Sequence, residues 1–293
     1  MSNSDPRDTP PSPGLRRFGS LGVLSFGLLA SLAALTVVAW LLVFYQVNTM
    51  SMPMGIAVRG GMAGEGMEGM AGMAMAGMPA AGWSLEGAVP FVVAWTVMMA
   101  AMMLPAAAPM IFMFASAQAR RARNVAVGTW VFVAGYLLVW ALAGVLVYVL
   151  VQLGSDLATR LDPPQRSHWA PLALGATLAV AGLYQFTSLK RVCLSHCRSP
   201  LSFIAHHWRD GRAGALEMGM RHGLYCFGCC WALFAVLVAA GVMSLAWMLL
   251  LTLVVFVEKM LPQGRHFEAA TGIVLLCLGA AVASGAVGMP WLV

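Results

Sequence analysis

Charge is scarce in this sequence. Only 10% of its 293 residues are Asp, Glu, Lys or Arg, whereas a soluble globular chain carries about 25%. That scarcity excludes an ordinary soluble domain. Six stretches hold no Asp, Glu, Lys or Arg at all: 18–58, 89–119, 124–155, 167–189, 224–257 and 269–293. Other absences narrow the field further. No G-x-x-x-x-G-K-[ST] sequence is present, so no P-loop binds nucleotide phosphates. No inverted repeat of the kind that marks secondary transporters stands out.

The uncharged stretches are what remains, and they set the fold. A helix needs about 20 apolar residues to cross the hydrocarbon core. Five of the stretches supply one span each. The stretch 224–257, at roughly 34 residues, is too long for one ordinary span and long enough for two. Gly241, Val242, Met243 and Ser244 supply the turn. The expectation is an all-α polytopic bundle of seven transmembrane helices. It takes in residues 18–293, behind a Pro- and Ser-rich cytoplasmic tail at 1–17 that is too polar to pack. A cleaved signal peptide is the alternative for the first apolar segment. That segment is longer than the usual 7–15 residues and lacks a small-x-small cleavage site, so an uncleaved first helix is preferred.

The net charge of +6 raises the question of nucleic acid, and its distribution answers it. Arg16 and Arg17 precede the first span, and Arg120, Arg121 and Arg123 follow the second. Lys190, Arg191, Arg198, Arg209, Arg212 and Arg221 lie between the fourth and fifth. The alternate loops hold only Arg59, Arg160 and Arg166. Basic residues stay on the cytoplasmic side. The N-terminus is therefore expected inside and the C-terminus outside, in a bacterial inner membrane. Topology accounts for these charges, and no nucleic acid is expected.

Cysteine is missing from the expected external loops. Cys193 and Cys197 fall in a cytoplasmic loop at 188–223. Cys226, Cys229 and Cys230 begin the fifth span, and Cys277 lies within the last. The cytoplasm keeps thiols reduced, so a disulfide framework is not expected. Histidine is missing from the external segment at 47–87, which argues against zinc, nickel or Cu(II) as the main cargo there. Methionine is plentiful instead. Met50, Met52 and Met54, then Met67, Met70, Met73, Met75 and Met78, recur at two- and three-residue spacing in a Gly-rich sequence that disfavours helix and strand. Methionine in a solvated loop has no core to fill and adds oxidation risk. Capture of a soft metal ion is the functional reading, and a low-complexity accident is the plain one.

The second span repeats the theme. Met98 and Met102, like Met99 and Met103, are four residues apart, on one side of a helix. Thioethers select Cu(I) over hard ions, but methionine is also a flexible filler of cores. Pro105 and Pro109 remove backbone donors and are expected to kink this helix. The third span, with Tyr136 and Trp140, reads as plain packing and lipid-facing helix.

Thiols come next. Cys226, Cys229 and Cys230 share one helical face and suit a thiophilic ion or redox chemistry, against the plain reading of buried small residues. Gly228 between them permits close approach of a neighbouring helix. Cys193, His196 and Cys197 form a second candidate set, with ligand types suited to zinc or copper. His206 and His207 follow nearby. A basic loop with incidental thiols is the competing view. His222 is placed to extend the helix thiol site. Glu258 and Lys259 end the sixth span, where function and interfacial anchoring account for them equally well. Tyr184 and Gln185 close the fourth span, and packing and function are not separable there.

Four blocks carry a resemblance: WTVMMAAMMLPAAAP from Trp95, AGLYQFTSLKRVCLSHCRSP from Ala181, GLYCFGCCWAL from Gly223 and FVEK from Phe256. Across about residues 88–285 the chain resembles a bacterial family of uncharacterised integral membrane proteins described as predicted metal-binding. The resemblance implies a bound metal and no particular reaction. The Met-rich segment lies outside the matched blocks.

Together these features suggest a soft-ligand route across the bilayer, from external thioethers to internal thiolates. The leading expectation is a membrane protein that binds Cu(I) and moves it or hands it to a copper-receiving protein. Zinc is the other metal these ligands suit. A passive conduit or a delivery factor for a membrane oxidase fits as well as a pump. A membrane thiol-redox enzyme and a metal-free assembly protein are the alternatives, and no catalytic residue is assigned.

Overall fold

A computed structural model of the chain describes residues 13–49, 83–119, 121, 125–240, 245–261 and 264–286. Most of the N-terminal tail, the turn at 241–244 and Met50, Met52, Met54, Met67, Met70, Met73, Met75 and Met78 lie outside the described residues. Within them every regular element is a helix. They are α1 (Pro13–Thr49), α2 (Leu85–Ala119), α3 (Val125–Thr159), α4 (Pro163–Tyr184), α5 (Ser188–Arg198), α6 (Pro200–His207), α7 (Gly211–Ala240), α8 (Leu245–Met260) and α9 (Gly264–Ala283).

Five segments are long and apolar enough to cross a membrane: Gly27–Val47, Leu85–Ala119, Val125–Leu157, Gly211–Ala240 and His266–Ala283. The remaining two expected spans behave differently. The fourth qualifies only jointly, as His168–Tyr184 with Ser188–Arg198 beyond a 65° bend. The sixth, α8, has 16 residues. The long stretch at 224–257 does divide where expected, with α7 ending at Ala240 and α8 starting at Leu245.

Local chemistry fixes the helix starts around that bend. Asp162 precedes Pro163, whose ring is pre-set for a first helical position. The Gln165 side chain accepts from the Asp162 amide at 3.2 Å. At the bend the Thr187 hydroxyl accepts the Lys190 amide at 3.3 Å, so α5 begins with an N-cap of the preferred type. Pro200 then opens α6. The loop expected at 188–223 is thus mostly helical, and α7 begins at Gly211 rather than near Leu224.

α2 and α7 form the interior of the bundle. α2 packs on α3, α1, α8 and α6, while α7 packs on α3, α5, α4 and α8. α3 and α8 therefore lie against both. α2 runs as one helix through Pro90, Pro105 and Pro109. The Ala101 and Pro105 carbonyls lose their usual i+4 amide partners. The α3–α7 contact is close because Gly219 is a glycine: a Cβ there would run into the Phe132 carbonyl. α4 and α9 pair in the same manner, and a Cβ on Gly175 would lie 2.8 Å from the Gly279 carbonyl oxygen.

The two ends of the bundle differ in chemistry. At one end the Arg121 guanidinium lies 4.9 Å from the Trp208 ring centre, Arg198 pairs with Glu268 at 2.8 Å, and Arg209 and Arg221 both pair with Glu217. At the other, Trp83 donates to Asp156 at 3.1 Å and Tyr148 to the Ser84 carbonyl at 3.3 Å.

Candidate thiol centre

The bend after Tyr184 folds α5 back against α7, and this brings two sets of cysteines together. Cys193 and Cys197, four residues apart on α5, face the α7 positions Cys226, Cys229 and Cys230. Contact is close at Gly228: a Cβ there would stand 2.7 Å from Cys193 Sγ. The glycine gap expected for a neighbouring helix is filled by α5. Tyr184 reinforces the contact by donating from its hydroxyl to the Gly228 carbonyl at 2.5 Å.

Cys226 is the hub. The thiols of Cys197, Cys229 and Cys230 are its neighbours in the cluster. Tyr136 Oη lies 3.0 Å from its sulfur, and Lys259 Nζ donates to it at 3.0 Å. The Cys229 and Cys230 thiols also donate to the Cys226 carbonyl, at 3.1 and 2.8 Å. All three α7 cysteines are buried, Cys193 is buried, and Cys197 is half-buried. Cys197 thus links the outer rim of the cluster to its interior. All six cysteines are free thiols, and Cys277 is exposed on α9.

A polar network holds α5, α8 and α9 around the cluster. Lys190 Nζ pairs with Glu258 Oε2 at 2.7 Å, with side chains only 1% and 2% exposed. Lys190 also donates to Gln185. Arg198 Nε donates to the Glu258 carbonyl at 2.8 Å, and its Nη2 pairs with Glu268. Glu258 Oε1 is buried without a hydrogen-bond partner. The interfacial-anchor view of Glu258 and Lys259 therefore fails, because both side chains turn into the bundle. Lys190 likewise turns into the bundle.

His222 sits one turn before Cys226. Its ring stacks on Tyr136 at 5.7 Å and Phe132 at 6.1 Å, and its Nδ1 is buried without a hydrogen-bond partner. His196 lies flat on Tyr225, ring centres 4.1 Å apart, with Nδ1 2.8 Å from the Val192 carbonyl oxygen. Met98, Met99, Met102 and Met103 are all buried, at 5% exposure or less. They belong to α2, which meets the thiol helix chiefly through α3 and α8. Among the described residues, no three His, Cys, Asp or Glu side chains are arranged to hold a metal ion as they stand. One of the thiols, Cys226, instead accepts from an ammonium supplied by the chain itself.

Residues 92–282, about two-thirds of the chain, match a family described as PpoB2, copper chaperone. The chain belongs to the PpoB2 copper chaperone family. The PpoB2 match starts within α2 and ends within α9. It covers the four α2 methionines, all five clustered cysteines, Tyr136, Lys190, Glu258 and Lys259. The Met-rich segment falls outside the PpoB2 match. No curated protein and no solved structure matches the chain.

One participant was invisible from the sequence. Tyr136 belongs to the thiol site rather than to plain packing, and its signal is a phenol in an otherwise apolar span, since a buried Tyr hydroxyl seeks a partner. The union of the α5 and α7 thiols was a sequence expectation only for a redox enzyme, with Cys197 or Cys193 as partner of the α7 thiols. Its signal is the matched four-residue spacing of Cys193/Cys197 and Cys226/Cys230, with Gly228 between the latter.

Proposed function

We propose that this protein binds Cu(I) through the thiols of Cys197, Cys226, Cys229 and Cys230 and delivers it to a copper-receiving protein. The observation carrying the proposal is the close packing of α5, which bears Cys193 and Cys197, on the three-thiol face of α7, with Cys193 Sγ against Gly228. Thiolates select Cu(I), and a half-buried thiol beside buried ones suits stepwise ligand exchange with an incoming partner. The copper chaperone family supports copper as the cargo and delivery as the task. The buried α2 methionines and the external methionine segment extend the soft-donor series toward the far side of a seven-span inner-membrane bundle. Copper captured there would pass from thioethers to stronger thiolate ligands.

Elemental mass spectrometry of the full-length protein, purified under reducing conditions and offered Cu(I) or Zn(II), tests this. Stoichiometric copper is expected in the wild type and should be lost in Cys226→Ser and Cys229→Ser. Copper unaffected by either substitution, or zinc bound in its place, would sink the proposal.

A thiol-redox reading has its own support, because an ammonium and a phenol beside Cys226 favour a thiolate nucleophile. It expects those serine variants to lose disulfide exchange with a dithiol substrate while metal content stays unchanged.

A further inference from the structure

Lys259 is the least expected member of the thiol centre. Its residue is 7% exposed, and its Nζ donates to Cys226 Sγ at 3.0 Å. The thiols of Cys197, Cys229 and Cys230 lie near enough to act on it electrostatically. A buried ammonium normally takes a carboxylate as its partner, because an unpaired charge in a low-dielectric interior is costly. Here both neighbouring carboxylates are engaged by other cations. Glu258 is held by Lys190 at 2.7 Å, and Glu268 by Arg198 at 2.8 Å. Among the described residues, Lys190, Arg198 and Lys259 thus face Glu258 and Glu268, leaving one positive charge over. Arg209 and Arg221 do not alter this count, since both pair with Glu217 farther out.

Metal-bound thiols are deprotonated. A Cu(I) ion on two thiolates carries one net negative charge, which the surplus ammonium cancels. A divalent ion on the same two thiolates is neutral and would leave the ammonium uncompensated. A third thiolate on Cu(I) would add a buried negative charge with no partner.

We infer that Lys259 is the built-in counter-charge of the metal–thiolate unit, and that it limits bound Cu(I) to two thiolates drawn from Cys226 and its neighbouring cysteines. This rests on the copper reading of the thiol centre. Lys259 acts through the ligands and is a positioning residue, since an ammonium has no lone pair to offer a metal.

Two measurements on the full-length protein in detergent test it. The first is X-ray absorption at the copper edge of the Cu(I)-loaded wild type. About two sulfur ligands are expected, and three or more would overturn the inference. The second is competition for Cu(I) against a chromogenic Cu(I) chelator. Lys259→Met should bind at least about tenfold more weakly, as expected for a charge removed from beside a buried anion. Lys259→Arg, which keeps the charge, should recover most of the loss. Equal affinity in Lys259→Met and wild type would overturn the inference, and so would Lys259→Arg as weak as Lys259→Met. Failure of the copper reading looks different: the wild type itself takes up no Cu(I), or Cys226→Ser binds it unchanged.

Discussion

Cys226 differs from the other α7 thiols in what its sulfur touches. Cys229 and Cys230 donate to a carbonyl within their own helix. Cys226 also meets a phenol from α3 and an ammonium from α8. Truncating it strands both groups inside the bundle. Cys226→Ala should therefore cost about 1.5–3 kcal/mol, the scale of a buried hydrogen bond to a charged group. Cys229→Ala loses one thiol–carbonyl bond and should cost about 1 kcal/mol. Denaturant titrations of the two variants in detergent give the comparison, and equal losses would count against the Lys259 contact. The three cysteines were legible from sequence because their spacing alone puts them on one helical face. Lys259 was singled out without its partner and Tyr136 was read as packing, because their relation to Cys226 spans 33 and 90 residues and depends on how three helices are packed. No single-helix periodicity carries that information.

At the scale of the element, α5 decides the site. The apolar runs revealed the spans because each crosses without a charge, and the small turn residues after Ala240 marked the division of the long run. The interval at 188–223 misled because its Arg, His and Cys residues look like a solvated loop. In the structure the charges of α7's first turns pair along one side, with Glu217 and Arg221 four residues apart. Gly214, Ala215, Met218 and Gly219 form its buried side. At about 45 Å the 30-residue α7 exceeds a hydrocarbon core of about 30 Å, so these charged turns have room outside it. The Lys190–Glu258 pair then ties α5 to α8. Glu258→Leu alone strands Lys190 and should destabilise by about 3–5 kcal/mol. Adding Lys190→Met removes the stranded charge, so the double variant should regain most of that stability. It also preserves the single surplus cation, so its Cu(I) affinity should stay close to wild type. A double variant no more stable than Glu258→Leu would mean that the pair does not act as a unit.

At the scale of the whole molecule, the helices alternate so that the thiol centre, the buried ion pairs and most of the arginines share one end. α2, α4 and α8 finish there, while α3, α7 and α9 start there. Lys190, Arg191, Arg198, Arg209, Arg212 and Arg221 belong to that end, while Arg160 follows α3 at the other. Basic residues concentrate on the cytoplasmic side of bacterial inner-membrane proteins. The thiol end should therefore face the cytoplasm, where reducing conditions keep Cys197 and its neighbours available as ligands. Labelling with a membrane-impermeant maleimide tests the orientation, in a background where the exposed Cys277 is replaced by serine. Arg160→Cys, at an exposed position, should label in right-side-out vesicles. Arg212→Cys, also exposed, should label only in inverted ones. The reverse pattern would place the thiol end outside. Copper would then move from the buried methionines toward an external acceptor, and an outward-facing methionine segment could no longer be the capture site for the thiols.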